Sequence, residues 1–229
     1  MKLIGWCCLL ALFIGCQGAK QDNAEMKTKK DSVSYSIGMD IGKNFKAQSI
    51  DIEPSILLAG INDAMNDGKT KLTEQQSTIV MNRFREELMA KEEEKKKVIG
   101  DKNLKEGEAF LTENKKKDGV VTTASGLQYK IVRQGTGPKP SATQTVTVHF
   151  RGTLIDGTEF YSTIKRGQPE TFQITGVMKG WTEALQLMPV GSQWTLYIPP
   201  NLAYGERGSG GVIGANATLV FEVELMSAK

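Results

Sequence analysis

Residues Val146 to Phe160 read VTVHFRGTLIDGTEF, and the fold follows from them. Val146, Val148 and Phe150 alternate with polar residues, the period of two that marks a half-buried β-strand. Asp156-Gly157 is the dipeptide of a tight hairpin turn, so the chain should double back and pair antiparallel. The same alternation recurs on either side, at Leu127, Tyr129 and Ile131, and again at Leu219, Phe221 and Val223. Between them lies one helical stretch, Trp181 to about Leu187, introduced by Gly176-Val177-Met178-Lys179-Gly180. A β-sheet of roughly 100 residues with one short helix against it is an α+β arrangement. The tryptophan at the mouth of that helix has two explanations. It is core packing, or its indole face is the floor of a pocket.

Upstream of Gly119 the texture differs. From Asp31 to about Lys117 only Pro54 interrupts, at a place where a first helical turn accepts proline. A first helix is expected from about Ser32 to Ala47, with Gly38 and Gly42 four apart on one face. A second follows Pro54, with Leu57, Ile61, Ala64 and Met65 at helical spacing and Gly68 ending it. A third opens with Thr73 and Gln76 in capping-box spacing and carries Val80, Phe84 and Leu88 at every fourth position. It continues through KEEEKKK, where Glu92 and Lys96, and Glu93 and Lys97, are favourable i,i+4 pairs. From about Thr73 to Lys117 this helix would reach roughly 65 Å. Gly100 and Gly107 are candidate kinks, and the segment reads as a solvated spacer between two bodies.

Composition narrows the chemistry. The 229 residues carry 29 Lys+Arg against 26 Asp+Glu, too balanced for a nucleic-acid binder. The single histidine, His149, rules out a His-cluster metal site, and no cofactor is implied. All three cysteines, Cys7, Cys8 and Cys16, fall in the first 16 residues. Lys2 followed by an uncharged apolar run from Leu3 to Ile14 is short for a membrane span and suits a signal peptide. It ends in Phe13-Ile14-Gly15-Cys16, which resembles the bacterial lipobox, although Phe13 replaces the usual leucine. An ordinary cleaved signal peptide is the alternative. The lipobox reading makes residues 1–16 a lipoprotein signal peptide with lipid on Cys16, and residues 17–30 a polar tether. The mature protein would then work outside the cytoplasm, in the cell envelope, without ATP.

Three ordered stretches carry a family resemblance: VTVHFRGTLIDGTEF, FQITGVMKGWTEALQLMPVGSQWTLYIPPNLAYGERG and GANATLVFEVEL. Throughout residues 125–229 they resemble the FKBP-type peptidyl-prolyl isomerases. Residues 31–118 look like the N-terminal dimerisation domain of the Mip-like and FkpA-like bacterial branch. The resemblance implies a curved antiparallel sheet wrapped around one short helix over residues 119–229, with an all-α dimerisation domain and a long connecting helix before it. It implies an apolar pocket that receives a proline ring, with Trp181 as floor. Matched position by position, Phe160, Trp181, Tyr204 and Phe221 are the catalytic set. Phe150, Tyr161, Val177, Met178 and Ile213 complete the substrate-binding walls. The Tyr204 hydroxyl and the Met178 backbone N–H match the groups that meet substrate carbonyls. The implied function is non-covalent rotation of X–Pro bonds in exported proteins. The implied setting is a homodimer formed through residues 31–118 and anchored by lipid, facing the periplasm from the outer membrane. Packing alone would account for any single aromatic on this roster; the ordered set points to a site.

The hairpin departs from the family. Phe160-Tyr161-Ser162 stands where Phe-Asp-Ser is usual, and Phe150 stands where a tyrosine normally bonds that aspartate. Losing both partners strands no polar group. Arg166 is left without its usual acid and is expected to be a solvated surface residue, with turnover weakened. The alternative function is a client-binding chaperone whose isomerase activity is incidental; a surface adhesin has no positive feature.

Overall fold

A computed structural model describes residues 25–66 and 69–229, which fall into two compact units divided at Thr73/Glu74. The signal peptide, Cys16 and Gly68 lie outside the described residues.

In the first unit, α1 (Lys29–Ala47) starts three residues before the expected Ser32. Thr28 supplies the reason: its side chain caps the Asp31 backbone N–H while the Asp31 carboxylate returns to the Thr28 N–H. Lys29 and Lys30, expected in the tether, are therefore helical. The Asp31 carboxyl is held below its ordinary value by these hydrogen bonds, that of the Thr28 side chain foremost. α2 (Pro54–Met65) begins with its proline in the first turn, as expected. Neither helix buries a single residue, and Tyr35, Ile37, Leu58 and Met65 are all more than half exposed.

The second unit begins with α3 (Glu74–Asn114), 41 residues in one uninterrupted helix about 60 Å long at 1.5 Å per residue. Gly100 and Gly107 do not break it. They are buried, seven residues apart, and Asn114 is buried seven further on. At Gly107 an added Cβ would lie 2.2 Å from Thr218 Oγ1, and at Gly100 it would lie 3.2 Å from the Ala215 Cβ. The glycines thus let the helix backbone rest against residues 215–218. Asn103 donates to the Ala215 carbonyl at 2.8 Å, and the Gln128 amide donates to the Leu111 carbonyl at 2.9 Å. The carboxy-terminal half of α3 is part of the body that carries the sheet, rather than a spacer in open water. Further up, Glu92 pairs with Lys95 at 3.2 Å on the exposed face.

The sheet has seven strands: β1 (Val120–Thr122), β2 (Gln128–Arg133), β3 (Thr145–Leu154), β4 (Glu159–Ser162), β5 (Glu170–Gln173), β6 (Gln193–Ile198) and β7 (Leu219–Ala228). Its order is β1-β2-β6-β7-β3-β4, every pairing antiparallel. β5 pairs with the first half of β3 and β4 with the second half, so both lie along one edge of that strand. Between them sits α4 (Thr163–Arg166), a turn of helix that the sequence reading did not anticipate, capped by Ser162 and closed by Gly167 at φ 70°. The expected hairpin turn is present: Gly157 lies at φ 87° and its N–H bonds the Leu154 carbonyl.

α5 (Lys179–Leu187) is the expected short helix and packs its buried side, Trp181, Ala184 and Leu185, into the core. The sheet supplies alternate residues to that core: Val146, Val148 and Phe150 from β3, Trp194, Leu196 and Ile198 from β6, Leu219, Phe221, Val223 and Leu225 from β7. Register shifts at Thr147/Val148 and Gly152/Thr153 bend β3, the strand that backs the site.

Candidate active site

One cavity of about 610 Å3 opens between α5, the β3–β4–β5 edge and the loop before β7. Its size is that of a small-ligand cleft. All nine residues singled out from the sequence line it, although they are drawn from positions 150 to 221. Phe150 and Phe221 face it from β3 and β7, Phe160 and Tyr161 from β4, and Val177, Met178 and Trp181 from the entrance to α5. Tyr204 and Ile213 come from the loop.

Trp181 is 3% exposed and is fixed by ring edges. Phe150 meets it at 4.9 Å and 81°, Phe221 at 5.3 Å and 84°, and Phe172 at 6.0 Å and 87°. Such perpendicular pairs exploit the ring quadrupole and add about 0.5–1.5 kcal/mol each beyond burial. Phe160 meets Phe221 edge-on at 5.6 Å. It reaches that place over Gly152, where an added Cβ would stand 2.5 Å from the Phe160 ring.

The polar groups are few. The Tyr204 side chain stands 40% exposed at the rim. Met178 caps α5 with extended backbone, and its carbonyl accepts from Trp181 and Thr182. Its own N–H has no partner among the described residues, so it is available to a ligand carbonyl. The loop carrying Ile213 is closed by Ser209 N–H to the Ile213 carbonyl and Ile213 N–H to that of Gly210.

Sequence reasoning missed three participants. Glu170, first in β5, also lines the cavity; its Oε1 accepts from both the Tyr161 hydroxyl and the Arg166 guanidinium. Arg166 is consequently not short of an acid: it pairs with Glu170 and lies over the Tyr161 ring, 4.8 Å from its centroid. That overturns the expectation of an arginine without an acid, while its surface position is as expected, the side chain being 52% exposed. The Tyr161 hydrogen bond, with Arg166 assisting against burial, holds the Glu170 carboxyl below its ordinary range. The same bond, with burial, pushes the Tyr161 phenol up. Phe172 supplies an aromatic wall from β5. Thr163, fully buried, anchors Phe150 by accepting its N–H at 2.8 Å. His149 bonds Thr163 at 3.0 Å and does not line the cavity.

Known proteins place the chain. A family model described as "FKBP-type peptidyl-prolyl cis-trans isomerase" matches residues 137–226, and one described as "Domain amino terminal to FKBP-type peptidyl-prolyl isomerase" matches residues 30–131. "Outer membrane protein MIP" of Legionella longbeachae is 49% identical over 229 residues, covering 100% of this chain and 98% of the relative. "Peptidyl-prolyl cis-trans isomerase Mip" of Coxiella burnetii is 44% identical, covering 89% of each chain. The crystal structure of FkpA from Escherichia coli superposes with a TM-score of 0.68 at 34% identity, over 90% of this chain and 99% of that one. With relatives matching along its whole length and an aromatic cavity of the expected composition, the chain belongs to the FKBP-type peptidyl-prolyl cis-trans isomerases, in the Mip- and FkpA-like branch that carries an amino-terminal domain.

Proposed function

We propose that the aromatic cavity is where this isomerase turns X–Pro bonds, with Phe160, Trp181, Tyr204 and Phe221 as the catalytic set. Phe150, Tyr161, Val177, Met178 and Ile213 complete the grip on the substrate. One observation carries the reading: residues scattered over three strands, a helix and a loop converge on a single cup whose only charged lining residue among those described is Glu170, itself neutralised by Arg166.

The reaction needs no nucleophile. The barrier of about 18–20 kcal/mol is amide resonance lost on twisting, while the X–Pro isomers themselves differ by only about 0.5–1 kcal/mol. The twisted amide is less dipolar than the planar one, so a cavity that excludes water favours it over the ground state. Each tenfold of rate requires about 1.4 kcal/mol of that preference. Carbonyl contacts from the Tyr204 hydroxyl and the Met178 N–H change as the acyl group turns and add to it. A protease-coupled assay on a proline tetrapeptide tests the reading. Trp181→Ala should lose at least about tenfold in kcat/KM, corresponding to about 1.4 kcal/mol. Parental activity in a folded Trp181→Ala variant would remove the cavity from the mechanism.

The amino-terminal unit is assigned to homodimerisation. Two helices with no buried residue and rows of exposed apolar side chains lack a core of their own, and a second copy would supply it. Residues 1–16 are assigned as a lipoprotein signal peptide and Cys16 as the lipidated residue. The polar stretch from 17 to the cap at Thr28 is assigned as a tether. This puts the enzyme in the cell envelope, acting on proline-containing segments of exported proteins, a setting supported by the relative named as an outer membrane protein. The exposed side chains of α2 favour one second reading, a chaperone that holds clients. Protection of a client without slow proline steps by the Trp181→Ala variant would support it.

A further inference from the structure

Glu170 is the one carboxylate at the cavity among the described residues, and its place is set by the sheet rather than by the motif that carries the other lining residues. β5 pairs Glu170 with Val148 of β3, which brings it beside Tyr161 at the far end of the hairpin. A single carboxylate oxygen takes both the Tyr161 hydroxyl and the Arg166 guanidinium. The Tyr161 ring stacks on Phe150 at 5.1 Å and 14°, and Phe150 in turn meets Trp181. Contacts therefore run without a gap from Glu170 through Tyr161 and Phe150 to the cavity floor. A tyrosine in an apolar wall needs an acceptor for its hydroxyl, and a carboxylate 27% exposed needs compensation for lost water. Each answers the other's need, and Arg166 cancels the remaining charge.

We propose that Glu170 is a positioning residue of the isomerase: it fixes Tyr161 as the wall against which the proline ring seats, with Arg166 keeping that wall electrically quiet. This rests on the cavity being the isomerase site. It also specifies which kinetic constant should change. A ring clasped in the cup stays still while the acyl side of the bond turns, so its wall contacts are alike in the ground and twisted states. Contacts of that kind contribute uniform binding, and losing them raises KM while leaving kcat near its parental value. A residue that met the turning carbonyl would show the opposite pattern.

Steady-state kinetics on a proline tetrapeptide with the full chain provides the test. Glu170→Ala should raise KM about tenfold, with kcat within about twofold. Glu170→Gln retains an oxygen for the Tyr161 hydroxyl and should recover most of the affinity. Tyr161→Phe, which keeps the ring and removes the donor, should raise KM, and its combination with Glu170→Ala should add little to either alone, as expected of residues acting as a unit. Rates are referred to the folded fraction from circular dichroism, and the double variant keeps the test valid where Glu170→Ala is less stable. An unchanged KM, a loss carried by kcat, or additive losses would overturn the proposal. Trp181→Ala, run in parallel, separates the two levels. If it leaves activity intact, the cavity reading fails; if it removes activity while Glu170→Ala keeps the parental KM, only the role of Glu170 fails.

Discussion

At Tyr161 the chain carries a phenol whose hydroxyl donates to an acid nine residues later, Glu170. The sign of each perturbation defines where this clamp holds. Glu170 titrates below its ordinary 4.5, so its contribution to stability is present above that value and is lost only as pH falls through the lowered one. Tyr161 titrates above its ordinary 10.0, so its contribution is complete below that value and is lost as pH rises through the raised one. Between these limits, with the Arg166 cation facing both groups, the wall stays in one protonation state. The nine lining residues were legible because they sit in ordered motifs. Glu170 was not, because nothing in ETFQ signals that strand pairing carries its side chain to the hairpin.

Helix α3 gives the clearest case of an element whose pattern misleads. Its closest approaches are at Gly100, Asn103, Gly107 and Asn114, and the apolar contacts beside them, Phe110 on Tyr197 and Ile99 against Gly214, are too sparse to announce the interface as a continuous hydrophobic stripe. Glycines inside a polar helix read as weak points. Here they are the places where two backbones come close. Gly107→Ala should therefore destabilise despite the better helix propensity of alanine, because its Cβ would meet Thr218 Oγ1 at 2.2 Å. Overpacking of this kind costs about 1–3 kcal/mol against about 1 kcal/mol gained from propensity. Differential scanning calorimetry should show the transition of the sheet-bearing unit lowered by a few degrees, about 2–4 °C per kcal/mol. A raised Tm would mean that α3 does not rest on residues 215–218. In the sheet, by contrast, β3 and β7 were readable because alternation there coincides with burial, whereas β6 alternates equally well but was not singled out. The short turn α4 and the 3-10 turns around Ile174, Pro200 and Gly205 lie below the length at which periodicity carries a signal.

For the whole molecule, the contrast between the two units is informative. The sheet-bearing unit has a continuous core, and the helices of the other bury nothing. A chain built this way should assemble through its amino-terminal unit, and sedimentation equilibrium of residues 17–229, which lack Cys16, should give twice the chain mass. A monomer would end the dimer assignment. On the proposed mechanism, the enzymatic half turns a bond in an electrically quiet aromatic cup without moving a proton. The most direct measurement of that claim is the rate of catalysed cis–trans exchange of a proline peptide by exchange NMR, followed from about pH 5 to about pH 9. With Glu170 and Tyr161 titrating outside that window, kcat/KM should stay level throughout. A bell-shaped profile, or a limb with a midpoint inside the window, would show proton transfer in the rate-limiting step and contradict the mechanism.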